Sequence, residues 1–225
     1  MFFDVKVIQM SIVSNKVHTL LTPDNCTFLL IDYQPQMAFA VKNIDGQTLL
    51  NNAVGLAKAA KIFNVPIVLT TVATTTFSGP MFAQIHEVYP NEKLIDRTTM
   101  NSWEDQRVVD AVGKAGRKKI VMGGLWTEVC IVDATIDAIL DGYEVYVVAD
   151  ACGATSELAH EMAMQRMVQA GAVPMTWLQV LLELQRDWAR VKTYDAVMNV
   201  AKEHAGAYGI GIQYAKSMLG SHSAG

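Results

Sequence analysis

The stretch Gly123-Gly124-Leu125-Trp126-Thr127-Glu128-Val129-Cys130 decides how this chain folds. It follows the apolar run Ile120-Val121-Met122 and leads into residues 129–140, where apolar residues recur at helical spacing. The pattern predicts a strand, a tight turn and a helix with Cys130 in its first turn. Because a helix N-terminus favours an anion, we expect the Cys130 thiol to ionise more readily than a free thiol. The alternative is a buried structural cysteine, which is a common role for a free cysteine.

Outward from this stretch, strand-like and helix-like segments alternate along the chain. Short apolar runs predict strands at 26–31, 66–71, 93–97, 120–122, 143–149 and 173–176. Such alternation predicts an α/β fold: a doubly wound, mostly parallel sheet of about six strands in a Rossmann-like three-layer arrangement, with extra C-terminal helices. We divide the chain into an N-terminal extension (1–20), an α/β domain (21–190) and a C-terminal helical extension with a tail (191–225), whose residues 220–225 are predicted to be disordered.

Composition restricts the classes of partner. The 225 residues are 51% hydrophobic and carry a net charge of −4 without a basic stripe, so we expect no nucleic-acid partner and no membrane surface. No apolar run reaches the roughly 18 residues of a membrane span. Three scattered cysteines, Cys26, Cys130 and Cys152, are too few for a disulfide framework, which predicts a reducing, cytoplasmic location.

Chemically active side chains end several of the predicted strands. In an open parallel sheet, ligands bind beyond the carboxyl ends of the strands, where Asp32, Thr70-Thr71, Arg97 and Cys130 all fall. A carboxylate, a cation and a thiol at one edge are what nucleophilic catalysis at cysteine requires. Each residue also has a structural alternative, because Asp32 could form a turn and Arg97 could pair with a neighbouring surface carboxylate.

Polar and aromatic residues near the same edge are candidates for a substrate pocket. They are Gln34, Phe39, Thr71, Phe77, Asn101, Trp103 and Trp126. Core packing explains the aromatic residues equally well, and Asn101 and Trp103 could be a helix cap and a core aromatic. A dinucleotide fingerprint and a P-loop are absent, and the five histidines are scattered, so neither a Cys–His pair nor a histidine metal site is expected.

These motifs resemble those of the isochorismatase-like cysteine hydrolases. The resemblance covers about Leu20 to Trp188 and is most specific in residues 29–34, 97–103 and 124–130, with the YcaC-like subgroup the most similar. It implies a catalytic triad of Asp32, Arg97 and Cys130, a non-proline cis peptide at Leu125-Trp126, and an oxyanion hole formed by the backbone amides of Trp126 and Cys130. Most of the wider family has Lys where this chain has Arg97, so we expect Arg97 to act as a fixed charge.

The resemblance also implies a reaction. We expect a cysteine-dependent hydrolase that cleaves a C–N, amide-like bond of a small molecule through a thioester. Two alternatives are an isochorismatase-type vinyl ether hydrolase without a role for the thiol, and a non-catalytic oligomeric binding or redox protein.

Cofactors and assembly follow from the same resemblance. Nicotinamidases of the family bind a metal through Asp and His residues after the second strand, where this chain has Thr74-Thr75-Thr76-Phe77, so we predict no metal and no other cofactor. YcaC-like members further imply a homo-oligomer, such as an octamer, that acts on a small molecule.

Overall fold

The computed structural model of the chain describes residues 18–219. Most of the predicted N-terminal extension (1–17) and the predicted disordered tail (220–225) lie outside the described residues. One parallel sheet has the strand order β3-β2-β1-β4-β5-β6. Its strands are β1 (Cys26–Ile31), β2 (Ile67–Val72), β3 (Ile95–Arg97), β4 (Lys119–Leu125), β5 (Glu144–Gly153) and β6 (Val173–Met175).

Helices cover both faces of this sheet, which confirms the predicted three-layer α/β fold. They are α1 (Pro35–Ala38), α2 (Gly46–Ile62), α3 (Ala83–Val88), α4 (Gln106–Lys114), α5 (Val132–Leu140), α6 (Glu157–Ala170), α7 (Trp177–Gln185), α8 (Val191–His204) and α9 (Ala207–Leu219). Helix α2 packs with α3, α7 and α8, whereas α5 packs with α6. The chain winds outward in opposite directions from β1 and β4, so the switch point where such folds bind ligands lies between these two strands.

The central strands are mostly apolar because both of their faces are covered. Every residue of β1 and of β4 is buried, and Leu29 pairs with Met122 in the parallel register. Uninterrupted apolar runs are typical of strands in such sheets, which explains why these two strands could be recognised from the sequence.

Gly124 lets β1 and β4 come close at the switch point. Its φ of +153° lies outside the range that side chains usually adopt, and a Cβ there would lie 2.0 Å from the Ile31 carbonyl oxygen. The pairing of β4 with β5 also shifts between Met122 and Gly124. Glycine is therefore required where β4 leads into the turn that carries Cys130.

The helix after β4 does not begin as the sequence predicts. Residues Thr127–Ile131 form a π-helical turn, in which the Ile131 N–H donates to the Trp126 carbonyl at 3.2 Å, and α5 begins only at Val132. Cys130 therefore lies in a π turn and not in the first turn of a regular α-helix. Such turns recur at functional sites.

The predicted C-terminal helices form two elements with different surroundings. Helix α8 buries Val197, Val200 and Ala201 and packs against α2 and α7. Helix α9 contacts α8 but leaves Tyr208, Ile210, Tyr214 and Met218 exposed. Within residues 18–219, none of the helices has the length and apolar character needed to cross a membrane.

Candidate active site

Three strand ends bring Asp32, Arg97 and Cys130 together. Asp32 follows β1 with φ of +57°, Arg97 ends β3, and Cys130 follows β4. The Arg97 Nη2 donates to Asp32 Oδ2 at 2.6 Å, with both side chains fully buried. The Cys130 thiol forms a hydrogen bond with the same carboxylate. The residues that the resemblance implies as a triad are therefore in contact.

Thr70 also contacts Asp32, whereas the predicted pocket contains its neighbour Thr71. The Thr70 hydroxyl donates to Asp32 Oδ1 at 3.2 Å, and the Asp32 N–H donates to the Thr70 carbonyl at 3.0 Å. The hydroxyl of Thr71, the predicted pocket residue, instead donates to Asp96 Oδ1 at 2.9 Å. Successive residues of a strand face opposite sides of the sheet, so Thr70 faces Asp32 and Thr71 does not, and a contact of Thr71 with a substrate stays a prediction. The alternation along β2, taken with the position of Asp32, could have selected Thr70.

Arg97 is held by two of its three nitrogen groups. Besides the contact with Asp32, its Nη1 donates to the Thr99 carbonyl at 2.6 Å. The Arg97 Nε is buried and has no hydrogen-bond partner in the described part of the chain. The guanidinium is thus fixed in orientation, and Nε is the nitrogen left without a partner among the described residues.

Burial controls the protonation of the thiol. It raises the pKa of Cys130 to about 12, and the negative charge of Asp32 adds to this effect while Arg97 opposes it. Burial also raises the pKa of Asp32, although Arg97 and the hydrogen bonds to the carboxylate lower it. The expectation of an easily ionised thiol was therefore wrong, because burial and the adjacent carboxylate outweigh the helix N-terminus. We assign the resting pair as a neutral thiol beside an Asp32 carboxylate neutralised by Arg97.

The turn before Cys130 presents a backbone donor to the sulfur. The Leu125–Trp126 peptide bond is cis, and the Trp126 N–H donates to the Cys130 sulfur. Thr127 anchors this turn, because its hydroxyl lies 3.1 Å from the Gly153 carbonyl oxygen and 3.0 Å from His160 Nδ1. The Thr127 hydroxyl donates its single proton to the Gly153 carbonyl. It can therefore only accept from His160, which makes Nδ1 the donor. Sequence reasoning missed His160 because α6 brings it to the turn from a distant part of the chain.

Known proteins share both this sequence and this fold. Residues 26–179 match the isochorismatase domain family. The chain belongs to the isochorismatase family. It is 36% identical to the probable hydrolase YcaC of Escherichia coli strain K12 over 174 residues, which cover 77% of this chain and 84% of that protein.

Solved structures place this isochorismatase-family chain among YcaC-like proteins. The Escherichia coli YcaC gene product, described as an octameric hydrolase of unknown specificity, superposes with a TM-score of 0.85 at 32% identity, covering 90% of this chain and 98% of that one. YcaC from Pseudomonas aeruginosa, solved with hexane-2,5-diol and covalent acrylamide, gives 0.83 at 31% identity, with coverage of 88% and 97%. The predicted family and subgroup are confirmed.

Gln34 does not offer its amide to a ligand in this isochorismatase fold. Its Nε2 donates to the carbonyls of Val72 and Gly79 at 3.0 and 2.6 Å, and its Oε1 accepts from the Val72 N–H at 2.9 Å. These bonds join the end of β2 to the loop that follows it. The Gln34 amide therefore has a positioning role, and Gln34 as part of the substrate pocket stays a prediction.

The polar groups of Asn101 and Trp103 likewise form hydrogen bonds within the protein. Asn101 Oδ1 accepts from the Trp103 N–H at 2.9 Å, and its Nδ2 donates to Asp137 at 2.6 Å. The Trp103 indole donates to Asp141, just beyond the C-terminal end of α5 and at the opposite end of that helix from Cys130. These contacts agree with their alternative interpretation as a cap and a buried aromatic, and their contact with a substrate stays a prediction.

The remaining predicted pocket aromatics differ in exposure. Phe39 is 81% exposed beside α1, and Phe77 is 63% exposed in the π-helical turn Thr74–Ser78, which contacts α1. Trp126 is half-buried, and its indole donates to the Met37 carbonyl at 2.8 Å. Their contact with a substrate stays a prediction. Within residues 18–219, no group of three His, Cys, Asp or Glu side chains is arranged to hold a metal.

Proposed function

We propose that this isochorismatase-family hydrolase cleaves the C–N bond of a small amide by covalent catalysis at Cys130. The observation that carries the proposal is the buried contact between the Cys130 thiol and a carboxylate that Arg97 holds at 2.6 Å. A thiol with a proton acceptor in contact is an activated nucleophile even when its own pKa is high.

The proposed reaction begins with coupled proton transfer. The Cys130 sulfur attacks the carbonyl carbon of the amide while Asp32 accepts the thiol proton, so a thiolate need not accumulate. The Trp126 N–H, together with the Cys130 N–H, stabilises the oxyanion that forms. When the C–N bond breaks, Asp32 returns the proton to the leaving amine and a thioester remains on Cys130.

The second half of the reaction reverses these roles. Asp32 accepts a proton from water as the water oxygen attacks the thioester carbonyl, and Cys130 leaves with that proton to regenerate the thiol. Burial strengthens Asp32 as a base because it raises the pKa of that carboxyl. Arg97 keeps the carboxylate ionised and oriented without exchanging its own proton. These steps use no metal or other cofactor.

The relatives support this proposal in two ways. Acrylamide is a small amide with an electrophilic alkene, and its covalent attachment to the Pseudomonas aeruginosa protein is what a reactive nucleophile would produce. The Escherichia coli relative is an octamer, and the exposed apolar residues of α9 support a homo-oligomer for this chain as well. We further propose a cytoplasmic location and a small-molecule substrate, with neither nucleic acid nor membrane as partner.

Intact-protein mass spectrometry tests the proposal. The chain is incubated with small primary amides, ureides and carbamates, and acyl adducts are mapped by peptide analysis. We expect an adduct on Cys130 in the wild type and in Cys26→Ala, and none in Cys130→Ala. Cys26 is the matched control because its thiol is also buried but lies at the start of β1, away from the triad. Turnover retained by Cys130→Ala but lost from Asp32→Asn on a vinyl ether would instead establish the isochorismatase-type reaction. Absence of any adduct or turnover would favour the non-catalytic alternative.

A further inference from the structure

The turn that presents a backbone donor to the reactive sulfur is attached to the end of β5. Leu125 pairs with Gly153 in the parallel register of β4 and β5. Two residues later, the Thr127 hydroxyl donates to the Gly153 carbonyl at 3.1 Å. Trp126, whose N–H donates to the Cys130 sulfur, lies between these two attachments. The position of that N–H therefore depends on how firmly Leu125 and Thr127 are held.

A second contact to the Thr127 hydroxyl comes from α6. The hydroxyl oxygen lies 3.0 Å from His160 Nδ1. Because the hydroxyl proton goes to the Gly153 carbonyl, the oxygen accepts from Nδ1, which carries the ring proton. His160 is itself fixed in the first turn of α6, where its backbone N–H donates to the Ser156 carbonyl at 3.1 Å. The imidazole thus joins a helix to the turn beside the reactive sulfur.

The protonation state of His160 suits a donor. Burial lowers the pKa of His160, although Glu128 and Glu161 oppose the shift, so the ring is neutral at neutral pH. The dipole at the start of a helix also disfavours a cation. The single ring proton lies on Nδ1 and faces Thr127, so this nitrogen cannot take the thiol proton of Cys130. Nδ1 is therefore a donor and not a base.

A buried threonine hydroxyl does not need two partners in this fold. The Thr127 hydroxyl has two, whereas the hydroxyl oxygens of Thr27 and Thr99 are buried without a partner among the described residues. One hydrogen bond fixes a hydroxyl in one direction, and a second from another side fixes the rotamer of the side chain as well. The second bond occurs at the turn next to the nucleophile, where a displacement of about 1 Å can slow a reaction about a hundredfold.

We propose that His160 is a positioning residue that acts through Thr127 to hold the Trp126 N–H where the oxyanion forms. The role deepens the proposed amide hydrolysis and rests on it for the reaction. It requires only an N–H at the place of Nδ1. Asparagine supplies one, because asparagine Nδ2 and histidine Nδ1 are both bonded to Cγ, whereas glutamine carries its N–H groups one bond farther out.

Two reactions of Cys130 that differ in oxyanion formation test the role. p-Nitrophenyl acetate acetylates the sulfur: the thiol proton passes to Asp32, an S–C bond forms at the carbonyl carbon through an oxyanion, and the C–O bond to p-nitrophenolate breaks. Iodoacetamide alkylates the same sulfur by displacing iodide and forms no oxyanion. Both products are quantified on the Cys130 peptide by mass spectrometry. The ratio of acetylation rate to alkylation rate reports on the oxyanion hole separately from the reactivity of the thiol.

His160→Leu should lower this ratio about tenfold, because it displaces a donor whose complete loss costs about 100-fold to 1,000-fold. His160→Asn should restore the ratio to within about twofold of the wild-type value, and His160→Gln should not. Thr127→Val should lower the ratio at least as much as His160→Leu. Adding His160→Leu to Thr127→Val should lower it no further, because the two side chains act as one unit.

His204→Leu is the matched control. His204 is another half-buried histidine, and its Nδ1 lies 2.9 Å from Asn51 Oδ1 while its Nε2 lies 3.0 Å from Lys58 Nζ. Its loss should lower stability in urea and leave the ratio within about twofold of the wild-type value. If His160→Leu also lowers stability alone, or if His160→Asn fails to restore the ratio, the positioning role is overturned. Should His160→Leu fail to fold, the comparison of His160→Asn with His160→Gln decides the question in the same way.

Turnover of small amides by the same variants separates the positioning role from the proposed reaction. In His160→Leu, kcat should fall about tenfold with little change in KM, because an oxyanion donor acts on the transition state. If no amide is turned over while the ratio depends on His160, the proposed amide hydrolysis fails and the positioning role stands. If the wild type and His160→Leu turn over amides at equal rates, the hydrolysis stands and the positioning role fails.

Discussion

The buried thiols of Cys26 and Cys130 lie at opposite ends of the sheet. Comparing them shows what distinguishes a candidate nucleophile from a structural cysteine. Burial raises the pKa of both Cys26 and Cys130 to about 12, and each has an arginine nearby that opposes the shift. The difference lies in the hydrogen-bond acceptor. Cys26 donates to the Thr22 carbonyl at 3.3 Å, whereas Cys130 contacts the Asp32 carboxylate. A carbonyl cannot take up the thiol proton under these conditions and a carboxylate can, so the acceptor separates the two cysteines where their pKa values do not.

Removing the Asp32 carboxylate should have the largest effect of these changes on the rate of acylation. Asp32→Asn should slow acylation of Cys130 by about a thousandfold, within the range for loss of a positioned general base. Stopped-flow or quenched mass spectrometry measures the rate. Asp150→Asn is the control, because burial raises the pKa of Asp150 as well, although that side chain is only half-buried. The Asp150 carboxylate accepts from the Trp177 N–H at 2.8 Å and makes no hydrogen bond to a triad residue. Equal rates in wild type and Asp32→Asn would show that the acceptor does not define the nucleophile.

Arg97→Met should have the next largest effect, on stability. It leaves Asp32 buried without its cation, and breaking a buried ion pair in this way typically lowers the free energy of unfolding by about 3–5 kcal/mol. Urea denaturation measures the change. Loss of the cation also raises the pKa of Asp32 further, so any remaining activity should require a higher pH. Arg107→Met is the control, because that arginine pairs with Asp105 at the surface, where solvent screening leaves an ion pair with little effect on stability.

The pH dependence of acylation should distinguish a Cys130 thiol paired with the Asp32 carboxylate from an isolated thiol. Because Asp32 must be ionised to accept a proton, kcat/KM should rise through the raised pKa of Asp32 and then stay level through pH 8–9, where a free thiol titrates. Alkylation of Cys26 in Cys130→Ala should instead keep rising towards pH 12, following its own thiol. A profile for Cys130 that rises only with thiol ionisation would remove Asp32 as the base.

The same shifts predict a trend in stability. The folded pKa values of Cys26, Cys130 and Cys152, each about 12, exceed the ordinary value of 9.0, so the folded chain holds more protons than the unfolded chain between these values. The stabilising contribution is complete below pH 9 and is lost as the pH rises towards 12. Urea titrations from pH 8 to 11 should show the free energy of unfolding falling, and falling less steeply in Cys26→Ala.

Lys119→Met, beside Cys26, should have the smallest effect on catalysis. Lys119 pairs with Cys26 in the β1–β4 register, and its Nζ donates to the Thr19 hydroxyl and the Leu20 carbonyl at 2.7 and 2.8 Å. Losing these bonds should cost about 1–3 kcal/mol of stability. Acylation of Cys130 should change by less than about twofold, since the two ends of the sheet are independent at this distance. A larger change measured by kcat/KM would mean that the two ends are coupled.

The fold and the centre of the site were accessible to sequence reasoning for a simple reason. Apolar runs reveal strands, and the ends of parallel strands meet, so Asp32, Arg97 and Cys130 could be placed at one edge without knowledge of the strand order. Thr70, and not the predicted Thr71, contacts Asp32, because neighbouring residues of β2 face opposite sides of the sheet and the apolar run alone does not say which face meets Asp32.

Other features depend on contacts that no local pattern contains. The polar groups of Gln34 and Trp103 are satisfied by partners far away in the sequence, namely Gly79 and Asp141. The direction of the Cys130 pKa shift is set by burial, which depends on the packing of the whole sheet. The helix dipole, which is a local effect, was therefore a poor guide to the chemistry of this thiol.

The parallel order of the sheet has a consequence for the timing of synthesis. The contact between Arg97 and Asp32 joins residues 65 positions apart. Cys130 comes later still, in the turn after β4, the strand that pairs with the other side of β1. A nascent chain, extended at roughly 5–20 residues per second, must therefore wait several seconds after β1 emerges before the last member of the triad exists. During that interval Asp32 and Arg97 are present without the thiol, so the triad cannot assemble until β4 and the turn after it have been made.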